Sequence, residues 1–196
     1  METSDPEADG LTWLLVAIVT GSDAALRVRV WRELRKLGAV YLHSSVCLLP
    51  DRPHVLATVE TLTRRVRDGG GSARILRTVL VDPDERARVI SEQAADRDRE
   101  YQEVVERTGE FLAEIDRETQ RHRATYTEVE ESEADLDRFD RWLASIGARD
   151  YFHAPGRRDA EAALQSCRSA LATFEAAAVA ADTETSLGDG PPTAAG

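Results

Sequence analysis

Cysteine is scarce in this chain. Cys47 and Cys167 are its two cysteines, and their positions match no metal-ligand spacing. Cys47 falls in an expected strand and Cys167 on the apolar face of an expected helix, so both read as small buried hydrophobes. No run of 18 apolar residues occurs, so no membrane-spanning helix is expected, and Leu11 to Thr20 is too short to span. The residues before it carry Glu2, Asp5, Glu7 and Asp9, the opposite of a basic signal-peptide start. A cytoplasmic location is therefore expected. No Gly-x-Ser-x-Gly, phosphate loop or paired dinucleotide glycines are present, and Gly69–Gly71 follows an expected helix instead of opening one. Glu118 and His122 are four apart with no second copy, so they do not make the Glu-x-x-His pair of a carboxylate metal bundle. His43 lies near Ser45 and Cys47 without an evident orienting acid. The expectation is a non-enzymatic protein with no metal and no cofactor.

The chain does have a strong separation of charge. Its net charge is −11, but residues 11–81 hold eleven bases and five acids, net +6, while residues 82–196 hold 14 bases against 27 acids, net −13. Opposite signs in consecutive regions suggest two modules, the first of them facing a polyanion. The other reading is that the acidic helices fold back and neutralise the basic module.

The hydrophobic pattern divides at nearly the same point. Trp13 to Val19 is apolar on both faces, with Trp13, Leu15, Ala17 and Val19 on one side and Leu14, Val16 and Ile18 on the other, as in a strand covered on both sides. Ser22 or Asp23 can cap a following helix. Gly38 permits its left-handed end. Val40 to Leu49 supplies two short strands about Ser44–Ser45. Pro53 starts a second helix with a stripe of Leu56, Val59, Leu62 and Val66, and Ser72 to Val81 is a last strand. The order strand, helix, strand, strand, helix, strand predicts a ferredoxin-like βαββαβ module.

Asp82-Pro83-Asp84 then starts a long helix to about His122, with a seam of Tyr101, Val105, Thr108, Leu112, Ile115, Thr119 and His122. Tyr126 to Ile146 and Arg157 to about Ala180 repeat the rhythm. The fold class expected is therefore α+β, a ferredoxin-like module followed by an antiparallel bundle of three helices. The domain expectation is 1–10 disordered, 11–82 ferredoxin-like, 83–181 helical bundle and 182–196 a disordered tail. The first strand's second apolar face needs cover from the downstream helices or from a second subunit, and a homodimer is expected on that ground.

The most informative block is Trp31-Arg-Glu-Leu-Arg-Lys-Leu-Gly-Ala-Val-Tyr-Leu, closing in Ser45-Val-Cys-Leu-Leu-Pro50. Val30, Trp31, Leu34 and Leu37 share one helical face, which places Trp31 in a helix–sheet core, and Arg29, Arg32 and Lys36 line up on another. With Leu11-Thr-Trp-Leu-Leu-Val before it, Pro50-Asp-Arg-Pro53 after it and Arg149-Asp-Tyr-Phe152 downstream, the chain resembles the N-terminal domain of the ChrB family over about residues 11 to 180. The strand–helix–strand part also looks like the middle domain of PaaX-type repressors. The ChrB resemblance implies a chromate-responsive regulatory or accessory protein of bacterial chromate-efflux operons. It also implies a second, C-terminal domain linked to chromate sensing, which this chain is expected to lack.

Arg29, Arg32 and Lys36 are the candidate DNA or polyanion contacts, within a basic set that includes Arg27, Arg35, Arg64, Arg65, Arg67, Arg74 and Arg77. No helix-turn-helix or RNA-binding aromatic signature accompanies them, so the charge supports phosphate contact and not base readout. Arg149, Arg157 and Arg158, flanking the turn at Asp150 to Gly156, are candidates for a tetrahedral oxyanion such as chromate. The partner expected is DNA or another protein, with no membrane. The alternatives to the regulatory reading are a dimerising interaction module and an oxyanion-binding domain.

Overall fold

The computed structural model describes residues 11–121 and 125–188. The segment 1–10 expected to be disordered, the seam residue His122 and the tail from 189 lie outside the described residues. Nine elements follow in order: β1 Trp13–Val19, α1 Ala24–Lys36, β2 Val40–His43, β3 Val46–Pro50, α2 Pro53–Asp68, β4 Ser72–Thr78, α3 Pro83–Gln120, α4 Tyr126–Gly147 and α5 Arg157–Gly188. Among the described residues the protein is thus a mixed α+β chain with one four-stranded sheet and five helices. The strands lie in the order β2-β3-β1-β4, and every neighbouring pair is antiparallel.

Two compact units divide the chain. The first holds the residues up to Asp96 together with Arg149–His153, and the second holds Arg97–Ala148 with the residues from Ala154 onward. The sequence pattern places the division at Asp82, where the helical period begins. The two compact units meet inside α3, and Val89 and Ile90 in the first turns of that helix belong to the sheet's core.

In the first unit the period of two in β1 sorts its side chains cleanly. Leu14, Val16 and Ile18 join Val30 and Leu34 of α1, Val55, Val59, Leu62 and Val66 of α2, and Cys47 and Leu49 of β3 in one core. Trp13 and Leu15 point to the opposite face, where Val40, Leu48, Leu80, Val89, Ile90 and Phe152 gather around them. The Trp13 and Phe152 rings lie 5.7 Å apart, centroid to centroid. The cover that the two-faced strand demands at Trp13 therefore comes from within the same unit, so that end of the sheet does not itself require a second copy. Farther along this face Val19 and Leu76 are exposed. The turn after α2 brings Gly71 so close to β1 that an added Cβ would lie 2.6 Å from the Val19 carbonyl oxygen.

Trp31 departs from expectation. It is 46% exposed, whereas Trp13 is fully buried. The core stripe of α1 is Leu26, Val30, Leu34 and Leu37, and Trp31 falls outside its edge, because each residue advances about 100° around the helix.

In the second unit Phe111 and Ile115 of α3, Val129 of α4 and Leu164, Cys167, Leu171, Phe174 and Ala178 of α5 form one apolar cluster. A second gathers Tyr101, Val104, Ile146, Ala154 and Ala160. The α3 seam is buried at Tyr101, Val104, Thr108, Phe111 and Ile115. Val105 and Leu112, expected in that seam, are its half-buried flanks. The α5 helix runs on to Gly188, past the start of the expected tail at residue 182. Among the described side chains its packing seam reaches Ala178, and no glycine or proline interrupts the backbone before Gly188. At its amino end the Gly156 amide donates to Asp98 Oδ1 at 2.7 Å.

Candidate functional site

The basic helix α1 is anchored at both ends. Asp23 Oδ1 accepts from the Leu26 amide at 2.9 Å and caps the start. At the other end Gly38 takes φ +75°, which a residue with a Cβ tolerates poorly. Two side chains distant in sequence then satisfy the carbonyls released there. The Tyr151 hydroxyl donates to the Leu37 carbonyl at 3.2 Å, and Gln93 Nε2 donates to the Gly38 carbonyl at 2.6 Å. Burial of Leu26, Val30, Leu34 and Leu37 fixes the rotation of the helix about its own axis.

That rotation turns every cation of α1 outward: Arg27, Arg29, Arg32, Arg35 and Lys36 are all exposed. Arg35 and Lys36 lie in the last turn, where the helix dipole favours positive charge. Lys36 Nζ pairs with Glu33 Oε1 at 3.0 Å, and Arg27 Nη2 donates to the Gly21 carbonyl at 2.9 Å. Among the described residues no carboxylate forms an ion pair with Arg29 or Arg32. The Arg35 guanidinium carbon sits 5.2 Å from the centre of the Trp31 ring, a cation–π contact on the open side of the helix.

Beside this face a cavity of about 550 Å³ opens between α1 and the β2–β3 turn, lined by Val28, Trp31, Tyr41, Ser44, Ser45 and Cys47 among others. Burial pushes the Cys47 thiol up to about 12. Burial also pushes the Tyr41 phenol up to about 12, with Cys47 adding to the shift and Arg35 opposing it. Both groups stay neutral near pH 7, so this cavity presents neither a thiolate nor a phenolate.

The other cations of the basic set are dispersed. Arg67 folds back on the Ala73 carbonyl, with Nη2 at 2.8 Å, and Arg77 pairs with Asp51 at 2.7 Å. Both brace the sheet module. Arg64, Arg65 and Arg74 are exposed elsewhere in the same unit. The oxyanion candidates divide between the two units, Arg149 in the first and Arg157 and Arg158 in the second. Arg157 Nε already pairs with Glu161 at 2.9 Å, and the amino end of α5 already holds the Asp98 carboxylate. Among the described residues no cluster of three or more His, Cys, Asp or Glu is arranged to hold a metal ion, and no helix is long and apolar enough to cross a membrane.

A second open surface went unmarked by the sequence pattern. Between α3 and α4 of the second unit lies a groove of about 690 Å³, floored by Phe111, Ile115, Phe139, Trp142 and Phe174. Its walls carry Glu110, Glu114, Glu118, Glu128, Glu131 and Asp135 against Arg107 and Arg138. Acidic positions scattered along α3 in the sequence become one wall here, because residues three and four apart share one face of a helix.

Known proteins place this geometry in context. The family described as "Protein ChrB, N-terminal" matches residues 27–185. Protein ChrB of Cupriavidus metallidurans is 29% identical over 165 residues, which cover 82% of this chain and 46% of that protein. The chain therefore spans about half the length of the curated relative it matches.

Proposed function

The chain belongs to the ChrB N-terminal family, and from that premise we propose that it is a chromate-resistance regulatory protein acting through DNA, without catalysis, in the cytoplasm. The single observation that carries the DNA reading is the exposed cationic face of α1, where Arg29, Arg32 and Lys36 project from a helix whose ends and rotation are fixed. A face of this kind meets phosphates and releases counterions; it supplies affinity and orientation more than sequence readout. The ferredoxin-like reading of the first module is supported by the strand order β2-β3-β1-β4, with α1 joining β1 to β2 and α2 joining β3 to β4. The bundle reading is supported by the apolar cluster that α3, α4 and α5 share.

The test is a fluorescence-anisotropy titration on duplex DNA at several salt concentrations. The parent should bind at low salt, and its affinity should fall linearly in a log–log plot. Changing Arg29, Arg32 and Lys36 together to Gln should weaken binding on all sequences alike. It should also flatten that slope by about 0.9 for each phosphate no longer neutralised. Absence of parent binding at low salt, or an unchanged slope in the triple variant, overturns the reading.

A further inference from the structure

The outward face of α1 carries more than charge. Val28 and Trp31 are each 46% exposed, and together with Arg32 and Arg35 they stand at i, i+3, i+4 and i+7. That is the anchor spacing of a helix that lays one face into a groove on a partner. Two apolar anchors flanked by guanidiniums are costly to leave in water, and neither core of the first unit takes them in.

The groove between α3 and α4 has the opposite character. Its floor is aromatic, with Phe139 and Trp142 only half-buried. Its six lining carboxylates and two guanidiniums leave it net −4. The five cations and one carboxylate of α1 give that helix net +4. The lengths agree as well. Thirteen residues of α1 make a rod of about 20 Å. The groove wall from Arg107 to Glu118 runs about 17 Å, and the wall from Glu128 to Trp142 about 21 Å. Inside the groove one polar atom is unsatisfied. Glu118 Oε1 pairs with Arg121, but Oε2 is buried and accepts no hydrogen bond from any described residue, on a side chain only 13% exposed. A carboxylate oxygen so placed wants a donor, and a guanidinium supplies one.

We infer that the α3–α4 groove receives α1 of a second copy of this chain, with Trp31 and Val28 on the aromatic floor and Arg32 and Arg35 against the carboxylate walls. The occupant is a second copy because the chain itself carries both halves of the match in charge, length and apolar content. Each copy offers one helix and one groove, so the contact can be made twice between the same two copies. The contact is independent of DNA but shares Arg32 with the DNA-facing set on an adjoining face of the same helix, so self-association and DNA binding compete for α1.

The experiment is light scattering and analytical ultracentrifugation of the whole chain without DNA, on the parent and on three exposed-residue variants. In about 50 mM salt the parent should exceed the 21.6 kDa of one chain, and about 0.5 M salt should return it to that mass because the contact is screened. R32E/R35E sets two carboxylates of the docking face against the acidic groove, and E114K/E131K sets two lysines of the groove against the basic helix. Each variant alone should remain at 21.6 kDa, and an equimolar mixture of the two should associate, because each copy then finds its opposite. W31A should weaken parent association by at least about tenfold with no loss of helical signal. A parent that stays monomeric at low salt, or charge variants that associate as the parent does, or a mixture that stays monomeric, overturns the inference.

Discussion

The Tyr151 hydroxyl donates to the Leu37 carbonyl at 3.2 Å, across 114 residues of sequence. Tyr151 packs on the helix side of the sheet, with its ring 6.2 Å from that of His54, while its neighbour Phe152 lies against Trp13 on the other side. The turn Arg149–Phe152, which carries part of the ChrB resemblance, thus grips both faces of the sheet module and holds the carboxyl end of the basic helix.

Replacing Tyr151 with Phe keeps the ring and deletes only the donor. Stability should fall by about 0.5–1.5 kcal/mol, the net worth of one such hydrogen bond. Urea unfolding of parent and variant checks it, and a difference of zero would show that water replaces the hydroxyl at no cost.

The two tryptophans of the first unit should behave oppositely. Trp13→Ala empties a fully buried site and should cost about 3–5 kcal/mol. Trp31→Ala, at a 46% exposed site, should cost less than about 1 kcal/mol. Parallel denaturation curves give the comparison, and similar losses at both positions would place Trp31 in the core after all.

Gly71→Ala should destabilise the module by about 1–3 kcal/mol, because the new methyl meets the Val19 carbonyl oxygen at 2.6 Å and that oxygen belongs to backbone. Gly70→Ala strains a φ of +77° but meets nothing within 4 Å, so the two variants separate steric from conformational cost. Thermal unfolding of both reads the result, and an unperturbed Gly71→Ala would mean that the turn can move away from β1.

Alkaline pH should weaken the fold. Burial raises Cys47 to about 12 and Cys167 to about 11 from an ordinary 9.0. A raised value means the folded chain holds its proton more tightly than the unfolded chain. The associated stability is therefore full below pH 9.0 and is lost as pH climbs through the window from 9.0 toward 11 and 12. Denaturant midpoints at pH 7, about 9 and about 10.5 should fall in the parent and fall less steeply in Cys47→Ala. Both thiols should also resist an aromatic disulfide reagent near pH 8 until the chain is unfolded.

Much of this fold is local and was legible in the residues alone. The alternation in Trp13–Val19 sorts side chains to two faces whatever the rest of the chain does, because the period of a strand is two. Gly38 and Pro53 end and begin helices for reasons internal to their own backbones. The α5 stripe from Ala160 to Ala178 is buried at every position its spacing selects. The basic residues of α1 announce a solvated cationic face, because burying five charges without partners is prohibitive.

Tertiary structure decided what periodicity leaves degenerate. A helical wheel cannot choose between Trp31 and Leu26 as the edge of α1's core stripe; the angle at which the helix meets the sheet chooses Leu26. The wheel of α3 likewise admits Val105 and Leu112 or Val104 and Phe111, and packing in the second unit selects the latter. The division between units falls inside α3 because Val89 and Ile90 find the sheet, a contact with no signature in their own segment. The Tyr151 and Gln93 anchors and the acidic aromatic groove arise the same way. Each joins residues far apart in the chain, and only the folded backbone brings them within reach.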